Sequence, residues 1–379
     1  MTIPRRAGLD AVLIALAALA VVGTLLLVAR PWFIGLALVE HAMLLLPGLL
    51  LVRAVAGPGS GWLPVLAFGP VIGFGLSSLT LLGVWVAGGR GAWTLALAPA
   101  LALPLVPLAR RVRDRWALPV TLPGDRAAVA SVVLLAMMVV AAPFAHVGAD
   151  TRAGRAYRAY FTADYVWRRA VVAELAKGDM LPVNPFYRDD ALHYYWLPHL
   201  PAAVTYRNVD ADLDEVLLVH STIVDAFFAA FLFGLARWFV PSPGAAALGV
   251  ATAVLCTSYE GLYEIWVYWA ESIPLTLLRD LNIDAISRWR FEGMPIDGLQ
   301  RLLFYQPHHA VAYALGFLGV LAITGRRRLG PGDVNLGHLR IHPGLGDDAR
   351  HQQGHTGDKP HHDGQRDPLL AAAGTGTFT

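Results

Sequence analysis

The chain has 379 residues, 56% of them hydrophobic and only 15% charged, whereas about a quarter is usual for a soluble domain. Its formal net charge of +2 excludes a nucleic-acid partner held by bulk charge. Cys256 is the sole cysteine, which excludes an intramolecular disulfide and a cysteine metal cluster.

Apolar runs of about 20 residues, long enough to cross a hydrocarbon core, recur as far as Thr324. The first, Leu9 to Ala29, follows Arg5 and Arg6. It reads as a retained helix, with a cleaved signal peptide as the alternative. Further spans are predicted over Pro31–Val52, Trp62–Ala87, Ala92–Leu108, Ala127–His146, Val216–Val240, Ala245–Ala270 and Pro307–Thr324. The expected fold class is all-α: a polytopic transmembrane bundle of about eight spans, with an extracytoplasmic loop carrying interfacial helices. Arginine is crowded at Arg110, Arg111, Arg113, Arg115 and Arg126 and at Arg326, Arg327 and Arg328, while the opposite short turns hold only Arg30 and Arg90. This bias predicts a multi-pass protein of the cell membrane with its N-terminus cytoplasmic. Of the basic residues only Lys177 and Lys359 are lysines, a bias that suggests a GC-rich bacterial genome.

Three parts are expected: N-terminal transmembrane helices over 1–120, a core over 121–324 with outer loops at 147–215 and 271–306, and a tail over 325–379. In the third span, Gly69-Pro70-Val71-Ile72-Gly73-Phe74-Gly75 suits close helix approach in lipid. Glu40 and His41, inside the second span, are either a functional ionisable pair or a polar pair bonded to a neighbouring helix.

The first outer loop changes character. Val166, Ala170, Val171, Ala173 and Leu175 predict an amphipathic helix closed by Gly178, suited to a membrane interface. Asp164 falls at or just before its first turn, where it either caps backbone N–H groups or projects into a site. Met180 to Tyr187 reads as extended chain, since residues before proline avoid the helical region. Interfacial anchoring explains Tyr194, Tyr195 and Trp196, but not the clustered Asp189, Asp190 and His193.

These words together resemble the GT-C superfamily of membrane glycosyltransferases. The resemblance rests on Ala163-Asp164-Tyr165, Glu174-Leu175-Ala176-Lys177-Gly178, Pro182-Val183-Asn184-Pro185 and Tyr194-Tyr195-Trp196-Leu197-Pro198-His199. It covers residues 127–324, so the four preceding helices depart from the commonest arrangement of the family. It implies inverting transfer of a sugar from a polyprenyl-phosphate donor on the outer face. The loop carboxylate, Asp164 first and Asp150 second, would act as general base on an acceptor hydroxyl or bind a divalent cation such as Mg²⁺ or Mn²⁺. Arg168, one turn later, would face the phosphate.

Further candidates for substrate binding are His193, Tyr194, Tyr195, Glu264, His308 and His309. Glu260 and Glu264 are four apart and share a helical face, facing a sugar cavity or a metal, or forming a solvated helix end. The second outer loop carries mixed charge and reads as a solvated surface. It ends in Pro307-His308-His309, where proline opens the last span. Successive helical residues point about 100° apart, so one histidine is expected to face a lipid phosphate and the other the bundle.

After Thr324 hydrophobicity collapses. Residues 325–379 hold eleven Gly, six His and six Asp but no Glu, a composition that predicts disorder. It also suggests a reading frame shifted after the last span, in which case the chain is a truncated membrane protein. The competing functional classes are a transporter or flippase and a non-catalytic membrane subunit. No Walker, HExxH or GxSxG motif supports an ATPase, zincin or serine hydrolase.

Overall fold

A computed structural model describes residues 4–112, 118–152, 154–157, 159–187, 190–255, 260–274, 277, 289–291, 294–296, 299, 301–304 and 307–324. The chain divides into two units, Met1–Arg328 and Leu329–Thr379; the second, with the tail's six histidines, lies outside the described residues.

The first unit is an all-α polytopic helical bundle. Its first helices are α1 (Pro4–Val28), α2 (Pro31–Ala56), α3 (Leu63–Val86), α4 (Thr94–Ala102), α5 (Leu105–Ala109) and α6 (Asp125–Phe144). A short hairpin, β1 (Ala149–Thr151) and β2 (Gly154–Ala156), leads to α7 (Ala159–Ala176), α8 (Leu200–Asn208) and α9 (Leu213–Phe239). Then come α10 (Pro243–Leu255), α11 (Glu260–Ala270), the hairpin β3 (Trp289–Phe291) and β4 (Met294–Ile296), α12 (Arg301–Phe304) and α13 (Pro307–Thr324). Among the described residues six segments are long and apolar enough to cross a membrane. They are Gly8–Val28, Pro31–Ala56, Leu63–Val86, Thr94–Val112, Asp125–Phe144 and Leu213–Phe239.

One predicted span is interrupted. The stretch expected as one helix over Ala92–Leu108 bends at Leu103 and Pro104, because proline supplies no backbone N–H. Of the stretch expected over Ala245–Ala270 the structure describes α10 and α11; residues 256–259 lie outside the described residues.

Helix α9 is the axis of the bundle. In its best span window 83% of residues are buried within the protein, with Phe227, Phe228, Phe231 and Phe233 packed against Phe68 and Phe74 of α3. Its start is set by a capping box. Asp212 accepts from the Asp214 amide at 2.8 Å, and Glu215 accepts from the Asp212 amide at 3.1 Å. At its far end Arg237 donates from Nε to Asp125 Oδ1 at 2.8 Å, both side chains being almost wholly buried. The pair joins a cation at the C-terminus of α9 to an anion at the N-terminus of α6, matching both helix dipoles.

Helices α2 and α3 touch backbone to backbone. A Cβ on Gly48 would collide with the Gly69 carbonyl and the Gly73 amide, and one on Gly73 with the Leu45 carbonyl. Ser77 Oγ donates to the Leu44 carbonyl at 2.7 Å across the same seam. The small residues therefore do what lipid-embedded packing requires of them.

Gly73→Leu should lower the thermal unfolding midpoint in detergent, by an overpacking cost of about 1–3 kcal/mol or more. Gly83→Ala, which meets nothing within 4 Å, should leave it unchanged. Asp125→Ala should cost about 3–5 kcal/mol by stranding Arg237, and Asp125→Ala with Arg237→Leu should recover much of the loss in the same measurement.

Candidate functional site

Helix α7 lies across one end of the bundle, here called the loop end. Its buried face carries Tyr165, Arg168, Val171, Val172 and Leu175, a helical stripe. The hydrogen-bonded tie at its first half is Asp214, in the first turn of α9. Asp214 accepts from Tyr157 Oη at 2.9 Å, Tyr165 Oη at 3.0 Å and Arg155 Nη1 at 2.9 Å, and pairs with Arg169 Nε at 2.9 Å. Burial, then the Asp214 charge, pushes the Tyr165 hydroxyl well above its ordinary range, so it remains a donor. At the other end, Gly178 stops the helix with φ of +93°. Arg207 Nη1 donates to the Ala176 and Lys177 carbonyls at 2.7 and 2.6 Å. Arg90 Nε reaches Gly178 O at 2.6 Å, and Trp85 Nε1 reaches Asp179 O at 3.2 Å.

Fixed at both ends, α7 turns Arg168 into the bundle. The residue is 2% exposed, and its Nη2 donates to Ser221 Oγ of α9 at 2.9 Å. Its charge acts on His199, His220, Asp225 and His308.

The chain from Pro182 to Leu192 folds back on itself. Leu192 N donates to Pro182 O and Asn184 N to Asp190 O, both at 2.9 Å, with Val183 bridged to Ala191. Asn184 Oδ1 accepts from the Phe186 amide at 3.0 Å, an Asx turn. The return strand delivers an aromatic series. Tyr194 and Tyr195 stack with ring centres 3.9 Å apart, and Tyr195 lies 5.4 Å from the ring of His308. Tyr195 Oη bonds His309 Nε2 at 2.7 Å, and His308 lies 4.7 Å from His199. His308 is 7% exposed and faces the bundle, while His309 meets the loop, the two rings lying 4.4 Å apart and both beside Tyr195.

Beneath these lies a second pair. His41 Nδ1 approaches the Ala37 carbonyl at 2.7 Å, and His41 Nε2 approaches His220 Nδ1 at 3.0 Å. A carbonyl only accepts, so His41 carries its proton on Nδ1 and its neutral Nε2 accepts from His220 Nδ1–H. That leaves His220 Nε2 as an acceptor. Glu40 accepts from Thr205 Oγ1 at 3.0 Å, so the Glu40-His41 pair bonds neighbouring helices.

Buried atoms with no hydrogen-bond partner among the described residues include His199 Nε2, both ring nitrogens of His308 and both carboxylate oxygens of Asp225. Burial, with help from Arg168 and His309, lowers His199 to about 3. Neutral imidazoles beside a fixed guanidinium offer N–H donors and one full positive charge, a combination fitted to an anion.

Of the residues expected from sequence, Arg168, Tyr194, Tyr195, His308 and His309 converge here. His193 does not: its side chain is exposed on the return strand. Asp164 is the sixth residue of α7, not its cap, because the helix begins at Ala159; position 164 lies one turn before Arg168 on the same stripe. Asp150 lies in β1, in register with Arg155, and Glu264 lies within α11. The side chains of Asp150, Asp164 and Glu264, and the whole of Asp189, lie outside the described residues. His199, His220, Ser221 and Asp225 were not anticipated. His220 and Asp225 carry the signal that would have found them, ionisable groups within an apolar run. Among the described residues no three His, Cys, Asp or Glu side chains are placed to hold a metal ion.

No protein-family model, curated protein or solved structure matches the chain.

His199 supplies a pH dependence. Its folded value of about 3 lies below the ordinary 6.5, so the stability it contributes is complete above 6.5 and is lost as pH falls toward 3. One proton is worth about 1.4 kcal/mol per pH unit. The unfolding midpoint in detergent should therefore fall through this window, and His199→Gln should flatten that slope.

Proposed function

We propose that the chain is a membrane glycosyltransferase that moves a sugar from a polyprenyl phosphate to an acceptor hydroxyl at the loop end of the bundle. The arginine bias supports an orientation with that end outside the cell membrane and the N-terminus in the cytoplasm. The observation that carries the proposal is Arg168. It is a buried guanidinium beside unpartnered imidazoles, one turn beyond position 164, at the end of an apolar bundle.

Chemically, the Asp164 carboxylate takes the proton of the acceptor hydroxyl as its oxygen attacks the anomeric carbon. The bond from that carbon to the phosphate oxygen breaks, inverting the centre, and the electron pair leaves with the lipid phosphate. The phosphate gains one negative charge, and Arg168 with the N–H groups of His199 and His308 stabilises it. Among the described side chains, charge compensation is assigned to Arg168 and the histidines.

A second reading, transport, is favoured by Asp225 and the His41–His220 pair, polar groups held inside spans where such residues mark ion pathways.

A membrane assay with radiolabelled polyprenyl-phosphate sugars tests both. Asp164→Asn and Arg168→Ala should each lower transfer by at least about 100-fold at unchanged expression. Transfer at the unaltered rate in Asp164→Asn removes the general base. Radiolabel crossing proteoliposomes without any transfer favours the transporter.

A further inference from the structure

The outer face of α7 differs from its buried face. Between it and the 182–192 turn lies a cavity of about 450 Å³, within the range of small-molecule pockets. Ala170 and Ala173 form its floor, and Glu174, Lys177, Asp179 and Asn184 supply its polar groups. Glu174 is 3% exposed and ion-paired with Lys177. Two aromatic residues neighbour the lining in sequence. Trp167, one turn before Ala170, and Phe186, next to Pro185, stack with centres 5.3 Å apart and planes 13° apart. Phe186 is nonetheless 61% exposed, and so is the adjacent Tyr187, at 69%.

We infer that this cavity is a saccharide-binding subsite, and that it holds the acceptor glycan; the second half rests on the transferase proposal. Two carboxylates against one ammonium disfavour an anion, which separates this cavity from the Arg168 cluster. The same groups fit vicinal hydroxyls. Carboxylates accept, the ammonium donates, and the Asn184 amide can do both. The exposed face of the Phe186 ring carries negative potential that attracts the polarised C–H face of a sugar ring. Glu174 is six residues beyond Arg168, roughly 9 Å along the α7 axis.

The test is saturation-transfer NMR on the full chain in nanodiscs, with mannotriose, cellotriose and arabinotriose as probes. At least one should bind, and Phe186→Ala and Glu174→Gln should each weaken it at least tenfold. Phe186 is exposed, so its variant keeps the fold, as an unchanged unfolding midpoint would show. Failure of all three trisaccharides to bind, or equal binding by Phe186→Ala, overturns the subsite. In the transfer assay Phe186→Ala should raise the acceptor KM at least tenfold and leave the donor KM unchanged; an unchanged acceptor KM removes the acceptor role. Trisaccharide binding without any transfer would keep the saccharide site and sink the transferase proposal.

Discussion

The loop end is organised around one carboxylate. Asp214 is 8% exposed and receives two tyrosine hydroxyls and two guanidinium groups. Hydrogen bonds to a charged group contribute roughly 1.5–3 kcal/mol each, which offsets the cost of holding an anion in the mouth of an apolar bundle. Its backbone amide meanwhile completes the cap of α9. One residue therefore starts the central helix and fixes the helix that crosses it. That tie helps to keep Arg168 turned inward, where its Nη2 donates to Ser221 Oγ. The cavity of about 540 Å³ beside it, lined by Arg30, Arg155, Asp212 and Glu215, marks where this polar knot meets solvent.

The two faces of α7 then divide the chemistry. Arg168, His199 and His308 make the inner face cationic and buried; Glu174, Lys177 and Asn184 make the outer face polar. The division is a consequence of helical periodicity. Residues 165, 168, 172 and 175 fall on one stripe and 170, 173 and 177 on another, so a single helix can present opposite electrostatics to two ligands.

Hydropathy made most of the bundle legible, because a span must be long and apolar whatever it does. The interruption at Leu103 and Pro104 was not legible, since apolar residues continue on either side of it. At the site, Tyr195 and His309 could be picked out by their clustering at a predicted surface. His199 was hidden in the same motif, because nothing local distinguishes a buried histidine from an interfacial one. The partnership of His41 with His220 joins residues 179 positions apart, a relation no single-chain pattern encodes. The start of α7 was misplaced because Ala159 to Phe161 carry no capping residue to mark it.

The helices before residue 121 resemble an added anchor when the chain is read in order. Their packing says otherwise. Glu40 and His41 of α2 satisfy Thr205 and His220, Trp85 and Arg90 hold the end of α7, and Arg30 grips Glu215 of α9. A recombination event that exchanged α1–α3 for another set of apolar helices would preserve hydropathy and topology. It would also leave a histidine ring and a threonine hydroxyl facing hydrocarbon. The bilayer would accept such a chimera, but its loop end would have lost the partners that orient it, so the two halves can be inherited only together.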